Sequence, residues 1–189
     1  IHPHPPFAPP NPWHKLYRAP AMPLPHIPAD CEALHTAINR RQNRYKYRDQ
    51  GFDQQLARCL KAYYYAAISF IDFQIGRMLE VLETSGQLDN TLILFTSDHG
   101  DMRGSQGLET KLFPWDESIR VPFLLRWPAL HGASGRELAL PLDAPDILPT
   151  LLGLCGLPAA EMADGRDWSP FFRGECAPTG DEAAYLVMM

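Results

Sequence analysis

A carboxylate and an imidazole stand side by side at Asp98 and His99, after the apolar run Thr91–Thr96 and before Gly100. Carboxylate oxygen and imidazole nitrogen are donors that hold divalent cations. Neighbouring residues on a regular strand point to opposite faces. The two side chains can share an ion only where the chain turns, and Gly100 permits a turn. The same residues also fit an ordinary Asp-Gly-type turn with a solvated imidazole, and in isolation they do not choose between the two. Downstream, glycines at 100, 104 and 107 predict an irregular loop that carries Asp101, Arg103, Gln106, Glu109 and Lys111. Functional residues gather on such loops. Lys111 is either a solvated surface lysine or, beside a metal and an anion, a flexible point-charge clamp. Far upstream, His4 lies in His-Pro-His-Pro-Pro-Phe, where a lone histidine is ordinarily a surface residue.

These residues need elements to place them. Thr91–Thr96, bounded by Asp89-Asn90 and Gly100, predicts a short strand buried on both faces. The carboxyl end of such a strand is where open α/β sheets bind ligands. Before it, Leu56, Leu60, Tyr64, Ala67, Ile71, Ile75, Met78 and Leu82 recur at three- and four-residue steps. That spacing predicts one long helix over Asp53–Ser85, with Asp53 as N-cap and Gly86 just past the end. Asp72 and Gln74 fall off the stripe, and Tyr63-Tyr64-Tyr65 reads as packing. After the strand, Ile119–Trp127 predicts a second, with Pro122 confining its firm part to Phe123–Trp127. Glu137–Leu142 predicts a third. Asp143 and Asp146 open a compact helix, Ile147–Leu154, which tolerates Pro149 only in its first turn. The order of helix, turn and strand predicts an α/β fold.

The flanking segments are less regular. Ile1–Pro28 holds ten of the 19 prolines, which predicts an extended loop pinned by Trp13, Leu16 and Tyr17. Asp30–Gly51 is polar and basic and predicts a solvated, partly helical connector. The chain thus reads as three stretches, 1–52, 53–127 and 128–189.

Composition narrows the class. The 189 residues are 46% hydrophobic and 21% charged, which describes a globular protein with a real core. A net charge of −5 without a basic block excludes nucleic acid as the expected partner. No apolar run is long enough to predict a membrane span. Cys31, Cys59, Cys155 and Cys176 form no Cys-x-x-Cys pair, which argues against structural zinc. The compartment stays open between cytoplasmic and periplasmic or secreted. A chain that opens on Ile1 without a charged-then-apolar leader is expected to be part of something larger.

Four segments, in order, resemble the sulfatase family of the alkaline phosphatase superfamily. They are PHPPFAPP, the helix-to-strand segment ending TLILFTSDHGD, GLETKLFPWDESIRVPFLLRWP and PLDAPDILPTLLGLCGLP. The resemblance runs from residue 3 to about residue 174 and covers the second half of that family's catalytic domain. It implies part of an alkaline-phosphatase-like sheet sandwiched by helices. It also implies a parent enzyme that hydrolyses sulfate esters of small molecules or carbohydrates, with a homo-oligomer open. Asp98 and His99 would be metal ligands, and His4 and Lys111 would contact the sulfate oxygens and steady the leaving group. Gln106 would be a weaker substrate contact. The implied cation is Ca²⁺ first, with Mn²⁺ or Mg²⁺ as alternatives. Glu117 and Arg120 would form a structural ion pair.

The chain departs from the family pattern in four places. The family nucleophile is a formylglycine made within Cys/Ser-x-Pro-x-Arg, and no such motif occurs here. The early Asp pair that completes the metal site is absent as well. Both are expected in an amino-terminal half outside this chain, which alone would be inactive. Relatives often carry His where Gln106 stands and Asn where His99 stands. Two further readings remain: a phosphonate monoester hydrolase or phosphodiesterase of the same superfamily, and a truncated homologue that only binds.

Overall fold

The computed structural model describes residues 2–44, 53–111, 113–132, 134–159, 161, 163–177, 179–180 and 183–184. They divide into two compact units, Ile1–Leu124 and Leu125–Met189. Every candidate site residue lies in the first.

In the first unit the proline-rich segment runs without regular structure apart from single 3-10 turns at Trp13–Lys15 and Ala19–Ala21. Two short helices follow, α1 (Cys31–Leu34) and α2 (Ala37–Arg44). The rest of the expected connector, 45–52, lies outside the described residues. Helix α3 (Gln54–Thr84) is the long helix the spacing predicts. The Asp53 carboxylate caps it by accepting from the Gln55 and Leu56 backbone N–H groups at 2.8 and 3.1 Å. Ser85 closes it, and Gly86 just beyond takes a φ of 70°, which favours glycine.

The buried face of α3 differs from the expected stripe. Ala62, Ala66 and Ala67 are buried, whereas Leu56 and Met78 are 50% and 68% exposed. The proline-rich segment explains the difference, because it covers one stretch of the helix and leaves the ends bare. Trp13 packs on Phe70 and Phe73, with ring centroids 6.1 and 5.2 Å apart. Tyr17 meets Tyr65 edge-on and hydrogen-bonds Ser69 Oγ at 2.9 Å. Leu16 is not one of the pins; it is 53% exposed.

A turn at Leu88–Asn90 leads into β1 (Ile93–Thr96). Helix α4 (Asp116–Ile119) precedes β2 (Phe123–Arg126), which pairs with β1 and crosses the division between the units. The expectation of a strand buried on both faces is not met: Phe95 on β1 is 40% exposed and Leu124 on β2 is 63% exposed. Among the described residues the sheet has these two strands alone, too few to be covered on both faces. The fold is an α/β fragment with a small sheet.

The second unit begins with α5 (Pro128–His131). The third strand expected at Glu137–Leu142 does not form, since the segment has no ladder partner and Pro141 lacks an N–H. Helix α6 (Ala144–Leu154) starts three residues earlier than expected, because Asp143 and Asp146 cap it reciprocally. Pro149 therefore sits inside the helix and not in its first turn. The Asp146 carboxylate also accepts from Arg166 N at 2.7 Å and Trp168 Nε1 at 2.9 Å. That places Trp168 beside α6, just before α7 (Ser169–Arg173).

Candidate metal centre

The chain turns where β1 ends. Ser97 Oγ donates to the His99 carbonyl at 2.9 Å, and Asp98 Oδ1 accepts from the His99 N–H at 2.9 Å. These bonds fold Asp98 and His99 onto the same side, with Asp98 Oδ2 3.5 Å from His99 Nε2. His99 Nδ1 lies 2.8 Å from the Gly100 carbonyl. A carbonyl only accepts, so Nδ1 carries the proton and Nε2 presents its lone pair in the neutral ring. Metal-ligating histidines are commonly fixed this way, with the far ring nitrogen anchored to a carbonyl. Burial is the largest single influence and pushes the Asp98 carboxyl up, but the neighbouring His99 ring, the His99 and Asp98 N–H groups and the Ser97 hydroxyl together outweigh it and hold the carboxyl below its ordinary value. It stays ionised, as a ligand must.

The donors fit a divalent cation. Two ligands about 2.5 Å from one ion and at right angles to it are roughly 3.5 Å apart, the separation found between Asp98 Oδ2 and His99 Nε2. The pair is incomplete as a site. Among the described residues no group of three or more His, Cys, Asp or Glu side chains could hold a metal ion.

Gly100 does a different job from the one its sequence suggests. It is absent from the glycines with positive φ, so the turn does not need its freedom. It is needed for close approach: a Cβ there would overlap the Glu117 carbonyl oxygen and lie 3.0 Å from its carbon. Gly100 N donates to the Ser118 carbonyl at 2.8 Å, which seals the contact.

The 100–118 loop has a core of its own. Met102, Leu108 and Phe113 are buried together, with Trp115 against them. Met102 N donates to the Thr110 carbonyl at 2.7 Å and Gly104 N to the Leu108 carbonyl at 2.8 Å. Lys111 follows directly on Thr110; it is half-buried. Gln106 sits at the loop's turn with φ 57°. Its N–H donates to the His26 carbonyl at 3.0 Å, and its own carbonyl accepts from His35 Nε2 at 2.8 Å. Its side-chain Oε1 is buried without a hydrogen-bond partner among the described residues. Glu117 and Arg120 do not pair with each other. Glu117 accepts from Ser105 Oγ, and Arg120 pairs with Asp116 at 3.3 Å, one helical turn back.

His4 is exposed, with Nδ1 2.7 Å from the Pro5 carbonyl, so Nε2 is the nitrogen left to act. No hydrogen bond or ion pair among the described residues joins His4, Lys111 or Gln106 to Asp98 or His99. What brings their segments together is a cluster the sequence did not single out. Arg103 pairs with Asp101 at 2.5 Å, their side chains 10% and 8% exposed. The Arg103 guanidinium lies 3.9 Å from the Phe7 ring centre and 4.6 Å from that of Tyr64. Burial pushes the Tyr64 hydroxyl up, against the Arg103 cation. Burial likewise pushes the Glu109 carboxyl up; Arg103 opposes this and Asp101 adds to it. No local motif announces the cluster, because Phe7, Tyr64 and Arg103 are far apart in sequence.

Comparison with known proteins agrees with this architecture. The model of the sulfatase family matches residues 1–157. The ulvan-active sulfatase of Formosa agariphila is 39% identical over 127 residues, covering 66% of this chain and 24% of that protein. The arylsulfatase of Clostridium perfringens is 33% identical over 200 residues, covering 99% of this chain and 41% of that one. Among solved structures, a phosphonate monoester hydrolase from Silicibacter pomeroyi superposes with a TM-score of 0.82 at 30% identity, covering 97% of this chain and 37% of that chain. An α/β fragment with a small sheet thus takes its place in the alkaline-phosphatase-like fold. The chain belongs to the sulfatase family. It spans roughly a quarter to two-fifths of the length of these relatives.

Proposed function

We propose that this chain is the portion of a sulfate-ester hydrolase that supplies two metal ligands and two groups for the sulfate. The observation that carries the reading is the Asp98–His99 pair, 3.5 Å apart with Nε2 directed by the Gly100 carbonyl. Asp98 Oδ2 and His99 Nε2 would hold the cation, Ca²⁺ first and Mn²⁺ or Mg²⁺ as alternatives. A bound divalent cation supplies Lewis-acid polarisation of the ester oxygens. Lys111, reaching from the end of the Met102–Thr110 contact, adds a positive charge for the sulfate oxygens. His4, protonated on both ring nitrogens, donates from Nε2 to the ester oxygen as the S–O bond breaks and negative charge collects there. Groups aimed at charge that develops in the transition state accelerate the reaction more than groups that bind ground state alike. Gln106 Oε1, buried and without a donor, suits a hydroxyl of the substrate's alcohol portion. The nucleophile, a formylglycine, is assigned to sequence outside these 189 residues. Net reaction consumes water and releases an alcohol and hydrogen sulfate.

A second reading, hydrolysis of a phosphonate monoester, is favoured by the superposition on the Silicibacter pomeroyi enzyme. Turnover of 4-nitrophenyl sulfate and of 4-nitrophenyl phenylphosphonate by the full-length hydrolase separates the two. Higher kcat/KM on the sulfate, lost with a chelator and restored by Ca²⁺ or Mn²⁺, is the expected result. A preference for the phosphonate overturns it, as does turnover that survives metal removal.

A further inference from the structure

We infer that Arg103 is a positioning residue that sets His4 against the Asp98–His99 pair; the inference rests on the function proposed above. One buried cation touches both the segment that carries His4 and the segment that carries Asp98 and His99. Phe7, three residues from His4, lies under the guanidinium at 3.9 Å. Asp101, two residues from His99, pairs with it at 2.5 Å and also accepts from the Arg103 N–H at 3.2 Å. Glu109, two residues from Lys111, feels its charge. Tyr64 on α3 closes a corner around the same guanidinium, 4.6 Å away, with its ring 5.8 Å from that of Phe7 and at 90° to it.

The chemistry of the group matters. A buried ion pair is a poor way to gain stability, since apolar side chains of similar volume do as well or better. What a guanidinium gives instead is orientation: a planar fork held here by a carboxylate and by two aromatic rings set at right angles to each other. Arg103 Nε is buried with no partner among the described residues, so the Asp101 carboxylate and the two rings are the contacts that hold the side chain. The loop carrying His4 is held on α3 by His2 against Phe70 at 5.9 Å, and the Phe7 contact is what ties it to the loop that follows the strand end.

The test uses the full-length hydrolase and two aryl sulfates, phenyl sulfate with a poor leaving group and 4-nitrophenyl sulfate with a good one. Loss of a group that protonates the leaving oxygen harms the poor leaving group more. His4→Ala is expected to lower kcat on phenyl sulfate about tenfold more than on 4-nitrophenyl sulfate. Arg103→Met and Phe7→Leu are expected to show the same bias at about threefold or more, and to add little to it in the His4→Ala background. A drop in the amount of folded enzyme lowers both substrates equally, so the bias separates positioning from mere stability. Phe7→Leu leaves the buried ion pair intact and stays informative where Arg103→Met does not fold. A bias in His4→Ala that Phe7→Leu lacks overturns the inference alone. Absence of bias in His4→Ala removes the proposed role of His4 and this inference with it.

Discussion

Alanine at position 100 tests whether the metal-bearing turn is set by close backbone approach. Gly100 sits against the 117–118 backbone: an added Cβ would overlap Glu117 O and come within 3.0 Å of Glu117 C and 3.4 Å of Ser118 Cα. These are backbone atoms and no side chain can rotate away. Carbon contacts settle at about 3.5–4.0 Å, so the two segments must part by roughly 1 Å. Parting them breaks or stretches the Gly100 N to Ser118 O hydrogen bond of 2.8 Å, at about 1 kcal/mol. Overpacking of a close-fitted contact adds about 1–3 kcal/mol, for a total of about 2–4 kcal/mol. The effect on chemistry is separate. His99 is the adjacent residue, and its Nδ1 is anchored to the Gly100 carbonyl itself. A shift of about 1 Å there is worth on the order of 100-fold in kcat/KM. Urea denaturation of the full-length Gly100→Ala protein measures the first number and aryl sulfate turnover the second. A variant with an unchanged urea midpoint and activity within about twofold of the parent would refute the close-approach argument.

Three other outcomes follow from particular contacts. Asp53→Ala removes the acceptor for Gln55 N and Leu56 N at the start of α3 and should cost about 1 kcal/mol in denaturation midpoint, with kcat/KM unchanged. Glu109 holds its proton to higher pH in the folded state than its ordinary value of 4.5 allows. Its burial penalty is therefore absent below that value, sets in as pH rises past it and stops growing once the folded-state value is passed, so Glu109→Gln should gain stability relative to the parent as pH rises above 4.5. A relative stability that is flat with pH would contradict this. The 189-residue chain by itself, with Phe95 and Leu124 exposed on a two-stranded sheet, should self-associate in sizing experiments and should not turn over aryl sulfate.

What was legible in the sequence is what local chemistry decides. Helix α3 was written in its three- and four-residue spacing, in Asp53 before it and in Gly86 after it, and all three appear in the structure. The strand before Asp98 and the firm half of the one after Pro122 were legible from short apolar runs with clear boundaries. The errors arose where long-range contact decides. Gly100 looked like a turn glycine, but its need comes from Glu117, which no local rule brings near. Leu56 and Met78 belong to a regular stripe, yet which part of a stripe is buried depends on what covers it. Asp146 moved the start of α6 to Ala144 through a reciprocal cap, and Pro149 followed into the interior. Asp98 and His99 stood out because their types and adjacency carry chemistry. Arg103 did not, because its role depends on rings at positions 7 and 64.

Asp98 and His99 are proposed to hold one cation between them. Anomalous diffraction from crystals of the full-length hydrolase grown with Mn²⁺ tests it directly. A peak is expected within about 2.0–2.6 Å of both Asp98 Oδ2 and His99 Nε2, with His99 Nδ1 still on the Gly100 carbonyl. A cation bound elsewhere, with these two side chains left to solvent, would contradict it.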